Sequence, residues 1–182
     1  MRLVTAARAL AAITISVGAV ACSPAQNSTQ TSATSQAQQP VQAPDVIKVP
    51  GGNKLVGSFE GTGVQIYRCT DNAWMLLQPA AIISDHDKPI ALHSKGPVWV
   101  STIDGSSVAA APVPNAAVAH HDAVAELLLK ATENHGVGQF GSVTYVQRLA
   151  TTGGLSPQGA CTRGAEQSVP YSATYAFYAA GG

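Results

Sequence analysis

Residues 171–178 read YSATYAFY, in which Tyr171, Ala173, Tyr175 and Phe177 alternate with Ser172, Thr174, Ala176 and Tyr178. A repeat of two places one set on each face of a β-strand, and no helix keeps such a pattern on one side. Five more segments concentrate aromatic and β-branched residues: KLVGSFE (54–60), GVQIYRC (63–69), AWMLLQP (73–79), PVWVSTI (97–103) and SVTYVQRL (142–149). Turn-forming clusters separate them at Thr70-Asp71-Asn72, Asp85 to Pro89, Asp104-Gly105-Ser106 and Thr152-Gly153-Gly154. Short strands at this spacing predict a mainly β domain over residues 46–182, an antiparallel sandwich or barrel.

One segment resists that reading. In HHDAVAELLLKATEN (120–134), Val124, Leu127, Leu128 and Ala131 fall at helical spacing, Asp122 can cap, and most residues are good helix formers. Local propensity therefore predicts one short helix near 120–134.

The chain opens differently. Arg2 and Arg8 precede an uncharged, largely apolar run from Ala9 to Ala21, the form of a signal peptide over residues 1–21. Its thirteen residues are too few to span a hydrocarbon core, which needs about twenty. Ala19-Val20-Ala21 fits ordinary cleavage, and with Cys22 added it also resembles a bacterial lipobox. Three cysteines are present, so acylation of Cys22 leaves Cys69 and Cys161 as a pair for a disulfide in an oxidising compartment. The expected address is exported and lipid-anchored in the cell membrane or outer membrane, with soluble secretion the alternative. Residues 22–45 are rich in Ser, Thr, Gln, Ala and Pro, with no charge before Asp45; they are expected to form a disordered tether.

Within residues 46–182, eight Lys and Arg stand against nine Asp and Glu, and no basic cluster stands out. That composition argues against nucleic acid or an anionic membrane surface as partner. Any membrane contact is expected through the lipid alone.

GTGVQIYRC with Trp74, then LHSKGPVWV, DGSSV, ELLLKA, FGSVTYVQRLATTGG, Cys161 and VPYSATYAFY together resemble the exported bacterial and fungal proteins grouped as domain of unknown function 3455. The likeness runs from about residue 49 to 178 and implies a shared fold but no established activity. Where that family tends to IPWLLLKA, this chain has Val124 to Ala131, and where it tends to GPTWE, this chain has Gly96-Pro97-Val98-Trp99-Val100. An aromatic beside three leucines is the pattern of a buried strand, so the resemblance favours strand over helix for 125–131.

Candidate chemistry is sparse. GVGQFG (136–141) matches the dinucleotide fingerprint, but the segment after it reads as a strand where the phosphate-binding helix should begin. A glycine-rich connection is expected there, with no nucleotide and no cofactor. Asp85, His86, Asp87, His93, His120, His121, Asp122 and His135 are potential metal ligands at no recognised spacing, and are expected to be solvated loop residues. His93 stands apart, because it lies in the family-like stretch ending in Trp99; it is either a structural histidine donating to a nearby carbonyl or a functional one. No nucleophile elbow frames a serine, so no triad is inferred.

Trp74 and Trp99 beside turns are expected to plug the ends of the fold or to stack on a ligand. Gln65, Arg68, Gln147 and Arg148 lie in strands with apolar alternate residues; they are expected on the solvent face, where they could gather into a polar patch. The candidate ligand-binding set is therefore His93, Trp74, Trp99 and Arg148. It suits a non-catalytic binding module of the cell envelope, with a glycan or other envelope component as ligand. Two alternatives stay open: a metal-dependent exported enzyme centred on His93, and a structural or assembly role with a protein partner.

Overall fold

A computed structural model describes residues 42–182. The signal segment 1–21, the acylation site Cys22 and the tether up to residue 41 lie outside the described residues. Eight strands follow one another around a closed antiparallel barrel: β1 (Asn53–Thr70), β2 (Ala73–Asp85), β3 (Lys88–Ser94), β4 (Val98–Ser101), β5 (Ser107–Val118), β6 (Glu126–His135), β7 (Val143–Gly153) and β8 (Glu166–Ala180). Of sandwich and barrel, the chain therefore adopts the barrel. The seam between β1 and β8 pairs from Asn53 opposite Ala180 to Arg68 opposite Glu166, with one register shift between Leu55 and Gly57, and closes the sheet on itself. Among the described residues no helix is long and apolar enough to cross a membrane.

The period-two pattern of β8 sorts as its sequence demands. Tyr171, Ala173, Tyr175 and Phe177 join the interior core with Phe59, Ile83, Trp99, Phe140 and Val146. Opposite them on β1, Gly61 leaves the space in which the Tyr175 ring lies: a Cβ there would come within 2.6 Å of that ring. The large aromatic and the missing side chain are thus one packing solution.

A second, smaller core lies on the other face of the wall. Ala116, Leu128, Leu149 and Ala176 are buried there beneath the N-terminal stretch, whose one short 3₁₀ turn (Asp45–Ile47) carries a fully buried Ile47. Ala43 and Val49 pack beside it. The Gln147 amide donates to the Ile47 carbonyl at 2.7 Å and accepts from the Tyr178 hydroxyl at 2.9 Å, which fixes this strap to the wall.

The strap explains the ambiguous segment. No helix forms over 120–134; Glu126–His135 is the strand β6. Leu127 and Leu129 pack on the interior while Leu128 lies under the strap, so three consecutive leucines find cover on two faces. Burial on both sides outweighs helix propensities that differ by only about 0.5 kcal/mol per residue.

Candidate functional site

The two ends of the barrel are closed differently. At one end, the β4–β5 turn meets the β6–β7 loop through Asp104. Its carboxylate accepts from the Ser106 backbone N–H and hydroxyl at 2.8 and 2.6 Å and from the Gln139 N–H at 2.9 Å. These hydrogen bonds, Ser106 first, hold the Asp104 carboxyl well below the usual carboxylate range. Phe140, fully buried, inserts against Phe177 with ring centroids 4.7 Å apart. The GVGQFG motif is therefore a plug: Gly138 has φ +152° and a Cβ on it would strike the Asp104 carboxylate, and the segment that follows is strand β7.

The opposite end carries the β1–β2, β3–β4 and β7–β8 connections, and it is hollow. A cavity of about 250 Å³ opens there, walled by Leu76, Leu77, Pro97, Pro112, Leu127 and Leu129. Five polar or aromatic side chains converge on it from five strands: Gln65 on β1, His93 on β3, Trp99 on β4, Arg148 on β7 and Tyr175 on β8. Period-two alternation delivers each one. Gln65 lies in phase with Phe59 and Tyr67 on β1, and Arg148 in phase with Val146 on β7.

His93 and Trp99 are opposite each other in the β3–β4 register and stack face to face, with centroids 4.3 Å apart and planes 4° from parallel. Tyr175 meets both edge-on, at 5.2 and 5.5 Å. The His93 Nδ1–H donates to the Val98 carbonyl at 3.0 Å, which assigns the neutral tautomer with its lone pair on Nε2. Burial pushes its pKa down to about 4; the Val98 carbonyl opposes this and the Arg148 charge adds to it. Burial likewise raises Tyr67, Tyr171 and Tyr175, with Arg148 working against each shift. All three phenols are donors at neutral pH.

The Arg148 guanidinium is anchored on the backbone before β6 and also meets the Tyr175 phenol. Its Nε and Nη2 donate to the Ala125 carbonyl at 3.0 and 2.7 Å, from the segment that bridges to Gly153 before β6 begins. Gln65 and Trp99 line the cavity, and among the described residues the buried Gln65 Nε2 and Trp99 Nε1 have no hydrogen-bond partner. Among the described residues, no Ser, Cys, Asp or Glu lines the cavity.

Three of the four sequence candidates, His93, Trp99 and Arg148, thus share one cavity, and Trp74 does not. Trp74 stands opposite Cys69 in the β1–β2 register, with its carbonyl accepting from the Ser156 hydroxyl of the β7–β8 loop. That loop is pinned by the Cys69–Cys161 disulfide, whose Cα atoms are 5.8 Å apart. The polar patch does not form: Gln65 and Arg148 are in the lumen, Gln147 is under the strap, and Arg68 is outside with Glu166. Sequence reasoning missed Gln65 as a lumen residue, although its phase with Phe59 and Tyr67 signals it. The loop histidines stay apart. His86, His121 and His135 are each exposed beside a single carboxylate, and among the described residues no three His, Cys, Asp or Glu side chains group closely enough to hold a metal ion.

A family model described as "Protein of unknown function (DUF3455)" matches residues 82–179. No curated protein and no solved structure matches the chain.

Proposed function

The chain belongs to the DUF3455 family of proteins of unknown function, and from the hollow end of its barrel we propose that it is a non-catalytic binding module that takes a small envelope component into the lumen. The convergence of Gln65, His93, Trp99, Arg148 and Tyr175 on one apolar cavity carries this reading. Pockets that bind small molecules are concave and apolar, with a few convergent polar groups. A cavity of 250 Å³ has room for about ten non-hydrogen atoms, scaling from the ~150 Å³ void that holds benzene. A monomer or a short acyl or aromatic unit fits that space better than a glycan polymer. The signal-like residues 1–21 and Cys22 support an exported protein held to a membrane by acylation, and residues 22–45 support a tether that keeps the barrel clear of it.

The test fills the lumen. Thermal-shift screening with compounds of about ten non-hydrogen atoms should raise the Tm of the wild-type protein, as ligands that bind only the folded state must. The rise should vanish in Leu129→Phe, which places a ring in the cavity. Shifts that survive in Leu129→Phe would move the site out of the barrel. Mass spectrometry of the native N-terminus should find acylated Cys22; an unmodified mature start would remove the anchor.

A further inference from the structure

Resting on that lumen reading, we propose that the ligand is a small monocarboxylate with an apolar body, its carboxylate gripped by Arg148 together with the side-chain N–H groups of Gln65 and Trp99. The charged side chains lining the cavity are both cations, Arg148 within and Lys95 at the exposed rim, and no Asp or Glu lines it. Arg148 spends two of its five N–H donors on a backbone carbonyl, Ala125 O, and meets no carboxylate there. A guanidinium is charged at every accessible pH, and drawing this half-buried one away from water without a counter-ion carries a cost. An anion arriving in the lumen supplies that counter-ion.

The neutral donors agree with the charge. Gln65 and Trp99 are each 1% exposed, and among the described residues Gln65 Nε2 and Trp99 Nε1 have no acceptor. Each such orphan costs about 1–3 kcal/mol, which a ligand oxygen relieves. A carboxylate carries two oxygens with about four lone-pair sites, enough for a guanidinium edge and two further donors at once. One half-buried cation in the lumen matches one negative charge; a doubly charged phosphate would leave a charge uncompensated among the leucines. The leucine and proline walls then take the apolar body, so the ligand enters head first, past Lys95.

The experiment is calorimetric titration of the full-length protein at pH 7 with 3-phenylpropanoate, its neutral amide 3-phenylpropanamide, and the cationic 3-phenylpropylamine. The carboxylate should bind at least tenfold more tightly than the amide, with the amine weakest. In Arg148→Gln that preference should shrink by about ten- to a hundredfold, the range for a charge-assisted hydrogen bond, and Arg148→Lys should keep most of it. Acid and amide binding equally, with both abolished by Leu129→Phe, would overturn the monocarboxylate and leave the lumen reading intact. Failure of all three probes to bind would overturn both. Because Arg148 also holds the Ala125 carbonyl, Arg148→Gln could misfold; the acid-to-amide ratio in wild type and Arg148→Lys decides the proposal without it.

Discussion

Acidification should weaken this fold through His93 before its carboxylates begin to titrate. The imidazole is 3% exposed, stacked on Trp99 and committed at Nδ1 to the Val98 carbonyl. A second proton would have to sit on Nε2, placing a cation in an apolar lumen that already holds Arg148. Its pKa falls from 6.5 to about 4. The unfolded chain therefore takes up the proton near pH 6.5 and the folded chain only near 4. Between those values the unfolded state binds more protons, so stability rises with pH. The contribution is fully present above about pH 6.5, falls as the pH drops towards 4, and levels off below. At about 1.4 kcal/mol for each tenfold change in proton affinity, the full loss is about 3 kcal/mol, of which about 2 kcal/mol falls between pH 7 and 5. Urea denaturation of wild type and His93→Gln at pH 7, 6 and 5 measures it. The variant removes the titrating ring, so the gap between the two stability curves should close by about 2 kcal/mol on going from pH 7 to 5. Curves that stay parallel to within about 0.5 kcal/mol would refute the buried, neutral imidazole.

Two further outcomes follow from packing and connectivity. Ile47→Ala empties a fully buried site between strap and wall; it should cost about 2–3 kcal/mol. Hydrogen exchange should quicken over residues 42–50 and around Gln147 while the interior strands keep their protection. Replacing Cys69 and Cys161 together by alanine releases a cross-link between residues 92 apart in sequence. The chain-entropy relation gives about 4.5 kcal/mol as its upper value, read by urea denaturation, and a loss under about 1 kcal/mol would show that the cross-link does little to the unfolded chain.

Strands were legible wherever both faces differ in polarity, and β8 is the clearest case. Gly61 and Gly63 make the first strand read as two, 54–60 and 63–69; in the barrel it is a single strand, because the glycines face inward where the Tyr175 ring and the β2 backbone leave no room for side chains. β3 was hidden because its first residues, Lys88 and Pro89, look like the end of a turn. β5 is rich in alanine, carries Pro112 and Pro114, and shifts register between Pro112 and Ala117, so neither propensity nor alternation marks it. For the site, residue type pointed to His93, Trp99 and Arg148 one at a time. Their meeting is a property of closure: β3, β4 and β7 are neighbours of a common lumen only once β8 pairs with β1. Gln147 and Arg148, adjacent in sequence, separate to the strap and the lumen for the same reason that Tyr175 and Ala176 do.

Departures from good packing gather at one end of the molecule. At the plugged end every conspicuous polar group is answered: Asp104 by Ser106 and Gln139, and the Asn134 amide by the carbonyls of Phe140 and Val143. Phe140 and Phe177 fill the space between them. At the hollow end the same fold tolerates a void, two orphaned N–H groups and a guanidinium facing no carboxylate. That end also carries the disulfide and the Tyr67 hydroxyl bond to the Gly154 carbonyl at 2.6 Å, which hold the β7–β8 loop over it. Natural proteins accept local inconsistency where function requires it and compensate nearby. If the void were only a packing fault, substitutions that fill it and remove its orphans, such as Gln65→Leu, would be free gains in stability, and the cross-link beside it would have nothing to offset. The concentration of cost and reinforcement at a single barrel mouth supports the proposed reading of that end as a ligand site, and a gain in stability from Gln65→Leu with no loss of binding would count against it.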